Sequence, residues 1–134
     1  MKRAESITLI GAGLAGSLLS ILLAQRGYRV EMYEHRPDMR KTVLPAGRSI
    51  NMALSTRGIY ALSQVGLEKE ILHQAIPMKG RMTHSVKGEL HLIPYSQHEH
   101  QFINSISRSR LNEVLMTAAE ATGLVRIHFN QRCT

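Results

Sequence analysis

The chain has 134 residues, enough to bury one domain's core, and its 43% hydrophobic and 20% charged residues exclude intrinsic disorder. A net charge of +7 and a pI near 10.1 raise the question of nucleic acid or an anionic membrane, but the basic residues are scattered, aromatics make up 4% and there is no Trp, so no nucleic-acid partner is expected. The single cysteine, Cys133, excludes an internal disulfide framework and fits a reducing compartment. With no secretory pattern after MKRAES, and an apolar run (Leu18–Ala24) too short to span a bilayer, a soluble cytoplasmic protein is expected.

Ser6–Ile10 is a short β-branched, apolar run ending at Gly11 and predicts a buried strand. Gly16–Arg26 is apolar nearly all round and closed by Gly27, which predicts a helix with a glycine stop. Arg29–Tyr33 predicts a second strand, so these segments make one βαβ unit. From His35 to Gly47 the chain is charged and aperiodic and holds prolines, a loop. Arg48–Leu54 predicts a short extended segment, and Ser55 caps a helix over Thr56–Val65 stopped by Gly66. Leu67–Ala75 predicts another short helix, ended by Pro77. Lys79–Val86 and Glu89–Tyr95 flank Lys87-Gly88 as a hairpin, and Gln101–Ile106 predicts a further strand. Ser107 or Ser109 opens a helix running to about Thr122, with Leu111, Val114, Leu115 and Ala118 on its apolar face and Gly123 as its stop. Val125–Arg132 alternates and predicts a last strand. The sequence stops in or just after it, the ending expected of a truncated domain whose bare strand edges favour self-association.

Gly11-Ala12-Gly13-Leu14-Ala15-Gly16 is G-x-G-x-x-G, set after a strand and before a helix, with Glu34 at the end of the next strand. That context makes it a dinucleotide fingerprint. Gly11 permits the tight turn, Gly13 lets a pyrophosphate approach the backbone, and Gly16 lets the helix pack closely. The helix N–H groups hold the phosphates. The Glu34 carboxylate accepts from adenosine ribose hydroxyls and repels a 2′-phosphate, which disfavours NADP at this site. The fingerprint does not separate FAD from NAD. His91, His98 and His100, with Glu99, carry neither a Cys cluster nor an H-E-x-x-H helix, so no metal is expected.

The stretch Gly47–Gly58, GRSINMALSTRG, closely resembles the signature of the kynurenine 3-monooxygenase family, single-component flavin hydroxylases. Pro77-Met78-Lys79-Gly80-Arg81-Met82, Ile93-Pro94-Tyr95, Ser107-Arg108 with Leu111-Asn112, and Ile127-His128-Phe129-Asn130 match the family in order and spacing, over essentially the whole chain. The resemblance implies an α/β fold in which residues 1–134 are the N-terminal part of an FAD-binding domain. A parallel Rossmann-like sheet carries the glycine turn, and residues 79–106 begin a smaller, substrate-facing β-sheet. It implies FAD as cofactor, NADPH as co-substrate and L-kynurenine as the small-molecule substrate hydroxylated with O₂, with no protein general acid or base. By the same resemblance Arg81 and Tyr95 hold the kynurenine carboxylate, a task suited to a guanidinium fork and a phenol. Arg108 contacts FAD, and Ala15, Tyr33, Glu34, His35, Arg36 and Ala53 line its adenine, ribose and phosphate side. Cys133 falls beside an FAD-contacting position that is usually aliphatic, and Lys79 replaces the commoner Arg. The family's later Gly-Asp segment is absent, so the isolated piece is expected to bind cofactor without turnover. A different aromatic hydroxylase and an NAD-dependent oxidoreductase remain the alternatives.

Overall fold

The computed structural model describes residues 5–42, 50–98 and 102–134; Gly47, Arg48, Glu99, His100 and Gln101 lie outside them. In chain order the elements are β1 (Ser6–Ile10), α1 (Leu14–Gln25), β2 (Arg29–Tyr33), β3 (Asn51–Leu54), α2 (Thr56–Ser63), α3 (Glu68–Gln74), β4 (Ile76–Met78), β5 (Gly80–His84), β6 (Leu90–Pro94), β7 (Ile103–Ser107), α4 (Arg108–Ala121) and β8 (Val125–His128). They fall into two compact units, Met1–Ile50 with Ser107–Thr134, and Asn51–Ile106.

The first unit carries a three-stranded sheet in the order β1-β2-β8. Both pairings are parallel, with Ile7 opposite Val30, Ile10 opposite Tyr33, and Val30 opposite Val125. Parallel neighbours need a crossover, and α1 supplies it between β1 and β2. α1 packs on α4. Val30 and Met32 from the central strand, Ile21 and Ala24 from α1, and Met116 and Ala119 from α4 are buried together as the core, the larger of them contributing roughly 1.5–3 kcal/mol each.

Several element boundaries and one helix face differ from the sequence reading. α1 starts at Leu14, so Gly16 lies inside its first turn rather than opening it, because Gly13 takes the extended N-cap conformation. The buried face of α4 comprises Leu111, Asn112, Val114, Leu115, Met116 and Ala119, whereas Ala118 is half-buried; the face is rotated a step from the expected one. Strand β8 stops at His128, not Arg132, because Asn130 adopts φ 56 and breaks the extended run. The chain beyond it still follows β2: Gln131 N–H donates to the Glu34 carbonyl at 2.9 Å and Asn130 N–H to that of Arg36 at 3.2 Å.

In the second unit the sheet order is β3-β7-β4, with β4 antiparallel to β7 and Pro77 opposite Asn104. Pro77 therefore lies inside a strand instead of terminating the helix before it. It is tolerated because β4 is an edge strand, where a missing N–H need cost no ladder bond. Strands β5 and β6 form the expected hairpin, Arg81 opposite Ile93, with Gly88 at φ 86 in its turn. Ser55 sits at the N-cap of α2 without a side-chain capping bond.

Candidate cofactor site

The glycine turn joins β1 to α1 as the fingerprint requires. Gly11 takes φ 93, a conformation side chains disfavour, and its N–H donates to the Tyr33 carbonyl at 2.8 Å. The first intrahelical bond runs from Ser17 N–H to the Gly13 carbonyl at 2.9 Å. The N–H groups of Leu14, Ala15 and Gly16 thus have no acceptor within the helix, and no acidic side chain occupies the first turn. Donors and helix dipole together make an anion cradle. A Cβ on Gly16 would lie 2.1 Å from the Gly11 carbonyl oxygen, whereas one on Gly13 would meet nothing within 4 Å. Gly16 keeps the turn closed against the helix; Gly13 faces open space.

Glu34 ends β2 and turns back onto this turn. It is 3% exposed. Its Oε2 accepts from Ala12 N–H at 2.9 Å and from Arg36 Nη2 at 3.2 Å. Its Oε1 accepts from the Arg36 backbone N–H and Nε, each at 2.9 Å, with His35 Nδ1 at 3.0 Å. The Arg36 fork holds the Glu34 carboxyl down at about 2, against burial that pushes it up, with the Arg36 and Ala12 backbone N–H groups assisting. The same bond raises the Arg36 guanidinium. The acid points where the fingerprint puts it, but the arginine two residues on already engages it.

An open cleft of about 540 Å³ is lined by Ile10, Gly11, Tyr33, His35, Gln131, Arg132 and Cys133. It lies beyond the carboxyl ends of β1 and β2, where ligands bind in open parallel sheets. It gathers four residues singled out in the sequence, Gly11, Tyr33, His35 and Cys133. Cys133 arrives there because the segment after β8 is bonded to residues 34 and 36. Ile10, Gln131 and Arg132 were not anticipated; the adjacency of Arg132 to Cys133 was the available signal. Tyr33 stacks on His128 with ring centroids 4.9 Å apart, and His128 Nε2 lies 2.6 Å from Glu31 Oε2.

Ala15 is exposed in the first turn of α1, and Arg108 is exposed at the start of α4, its N–H donating to the Ile50 carbonyl at 3.1 Å. Ala53, Arg81 and Tyr95 belong to the second unit. Arg81 is opposite Ile93 on the hairpin, and Tyr95 lies two residues along from Ile93, its N–H bonded to the Lys79 carbonyl at 3.0 Å. Opposite and alternate residues share a face, so Arg81 and Tyr95 are diagonal neighbours, about 7–8 Å apart by the usual strand geometry. Both are exposed. Among the described residues no group of three or more His, Cys, Asp or Glu could hold a metal ion, and no helix is long and apolar enough to cross a membrane.

A protein-family model described as an FAD binding domain matches residues 4–134. The chain belongs to this family. This FAD-binding domain is 60% identical over 132 residues to kynurenine 3-monooxygenase of Myxococcus xanthus (strain DK1622), a match covering 98% of the chain and 28% of that protein. It is 48% identical over 128 residues to kynurenine 3-monooxygenase of Legionella pneumophila (strain Corby), covering 96% of the chain and 28% of that protein. The chain thus spans about 28% of the length of these relatives. The crystal structure of p-nitrophenol 4-monooxygenase PnpA from Pseudomonas putida DLL-E4 shares its fold, with a TM-score of 0.74 at 20% identity over 97% of this chain and 33% of that one. The residues present fit FAD: the open space at Gly13 admits a diphosphate, the helix N–H groups are its donors, and a buried carboxylate stands beside the turn.

Proposed function

We propose that this FAD-binding domain is the N-terminal cofactor-binding part of a cytoplasmic flavin monooxygenase that hydroxylates L-kynurenine to 3-hydroxykynurenine with NADPH and O₂. The observation that carries the reading is the 60% identity to a kynurenine 3-monooxygenase over 98% of the chain, a span that includes the glycine turn, Glu34 and the β5–β6 hairpin alike.

Bound FAD supplies electron transfer and oxygen activation, while the protein supplies binding, orientation and exclusion of water. The N–H groups of Leu14, Ala15 and Gly16 hold the diphosphate, with Gly11 and Gly13 giving it room. Glu34 takes the ribose hydroxyls. Ala12 N–H and the Arg36 fork already occupy its oxygens, so the diol replaces part of the arginine's contact. Tyr33, His35, Arg36 and Cys133 line the adenosine, and Ala53 and Arg108 complete the cofactor contacts. Arg81 and Tyr95, on one face of the hairpin, grip the kynurenine carboxylate, the guanidinium with two donors and the phenol with one. No side chain of this chain is assigned proton transfer. Because the chain spans 28% of its relatives' length, by itself it binds cofactor without turnover.

The test is a visible absorption spectrum of the purified full-length protein, followed by an NADPH oxidation assay with and without kynurenine. A yellow preparation whose NADPH consumption rises with kynurenine is expected. A colourless protein that FAD cannot reconstitute rejects the flavin reading. A yellow one that answers to a different aromatic instead rejects the substrate alone.

A further inference from the structure

The second residue of the glycine turn is held by side chains from opposite directions. Ala12 is 1% exposed. Its N–H donates to Glu34 Oε2 at 2.9 Å, and its carbonyl accepts from Asn112 Nδ2 at 2.9 Å and from Ser17 Oγ at a longer 3.3 Å. Asn112 comes from α4, a separation of 100 residues, and is itself 4% exposed. Its Oδ1 is buried without a hydrogen-bond partner, and Met39 Sδ lies 3.4 Å from its Nδ2. An orphaned buried acceptor is costly, and an apolar residue of similar volume would avoid it. The amide's one strong bond is therefore what its presence brings to this otherwise apolar face.

That bond has a direction. The trans peptide is planar, so the Ala12 carbonyl and the Gly13 N–H of the same peptide point opposite ways. Drawing the carbonyl inward to Asn112 turns the Gly13 N–H outward, on the residue where an added Cβ meets nothing within 4 Å. We propose that Asn112 is a positioning residue for FAD: from α4 it locks the Ala12–Gly13 peptide so that Gly13 N–H joins the diphosphate cradle. Glu34 locks the preceding peptide, and the two side chains together preorganise the turn. This inference rests on the FAD-binding reading.

Asn112→Leu and Asn112→Asp in the full-length protein test it, by FAD titration of the apoprotein at about pH 8 and about pH 6 alongside its melting temperature. The charged groups sharing the small cavity beside Asn112 are Glu34 and Arg36, and both stay ionised across that range. The carboxyl introduced by Asn112→Asp is absent from wild type and from Asn112→Leu, and burial and the Glu34 anion raise its pKa. His35, 3.0 Å from Glu34, is common to all three proteins, so affinities are compared with wild type at the same pH. Asn112→Leu weakens FAD by about tenfold or more at both, with a melting temperature within a few degrees of wild type. Asn112→Asp is weak at the higher pH and recovers at the lower, where its neutral O–H again donates to Ala12. Variants that bind like wild type overturn the proposal, as does weak binding that tracks lost stability and shows no recovery in Asn112→Asp. A wild type that takes up no FAD overturns the cofactor reading itself, and this inference with it.

Discussion

Two glycines of one motif answer to different demands, and substitution separates them. Gly13 has an ordinary φ of −78° and free space around it. Gly13→Ala is therefore expected to leave apoprotein stability within about 0.5 kcal/mol of wild type. Its methyl projects where the diphosphate approaches, so FAD affinity drops by about tenfold or more. Gly16→Ala brings a Cβ to 2.1 Å from a backbone oxygen, so it costs stability first, about 1–3 kcal/mol. Melting curves and FAD titrations of the two apoproteins check this; normal FAD binding by Gly13→Ala would remove that residue from the cradle. The spacing of Gly11, Gly13, Gly16 and Glu34 was legible in the sequence because each answers a steric or electrostatic requirement of one ligand. The engagement of Glu34 by Arg36 was not, since it depends on the turn the backbone takes after β2.

The elements read best were those whose fate is decided locally. β1 and β2 occupy their expected spans because branched apolar residues run directly into turn residues, but β1, expected to be buried, is an edge strand with no fully buried residue and Ile10 62% exposed. α4 was found but turned: Asn112, Leu115, Met116 and Ala119 follow the same i, i+3, i+4, i+7 rule as the expected face, and a polar residue at its head hid that stripe. Pro77 was read for what it forbids in a helix, and sheet order made it an edge residue. The charged stretch after β2, read as a loop, has no helix or strand over its described residues 35–42 and is pinned at Arg40. Arg40 bonds Asp38 at 2.8 Å and Glu120 of α4 at 2.7 Å, and its guanidinium lies 5.6 Å from the Phe129 ring centre. A double-mutant cycle of Arg40→Ala and Glu120→Ala should give a coupling of about 1 kcal/mol, modest because both side chains keep some solvent. Strictly additive losses would show that the pair does not tie the loop to the helix.

Stability of the whole molecule should carry the signature of its buried acid. The unfolded chain protonates Glu34 near 4.5 and the folded chain only near 2, so the unfolded state binds more protons between these values. The contribution is fully present above about pH 4.5 and drains away as pH falls towards 2, amounting to on the order of 3 kcal/mol. Asp38, held low by Arg40, acts in the same direction. Urea unfolding across this range should show a shallower acid loss in Glu34→Gln than in wild type; parallel curves would deny the Glu34 contribution. The βαβ unit was legible because it is contiguous. The neighbour of β2 on its other side was not, because β8 lies some ninety residues further on and alternation alone names no partner. That neighbour sets a timetable for biosynthesis. Glu34 donates its own N–H to the His128 carbonyl, and its carbonyl receives the N–H of Gln131, each at 2.9 Å. A nascent chain halted short of Val125 therefore displays β2 with one flank bare, a template for unwanted pairing. The cleft wall formed by Gln131, Arg132 and Cys133 is likewise missing until that closing strand has left the ribosome.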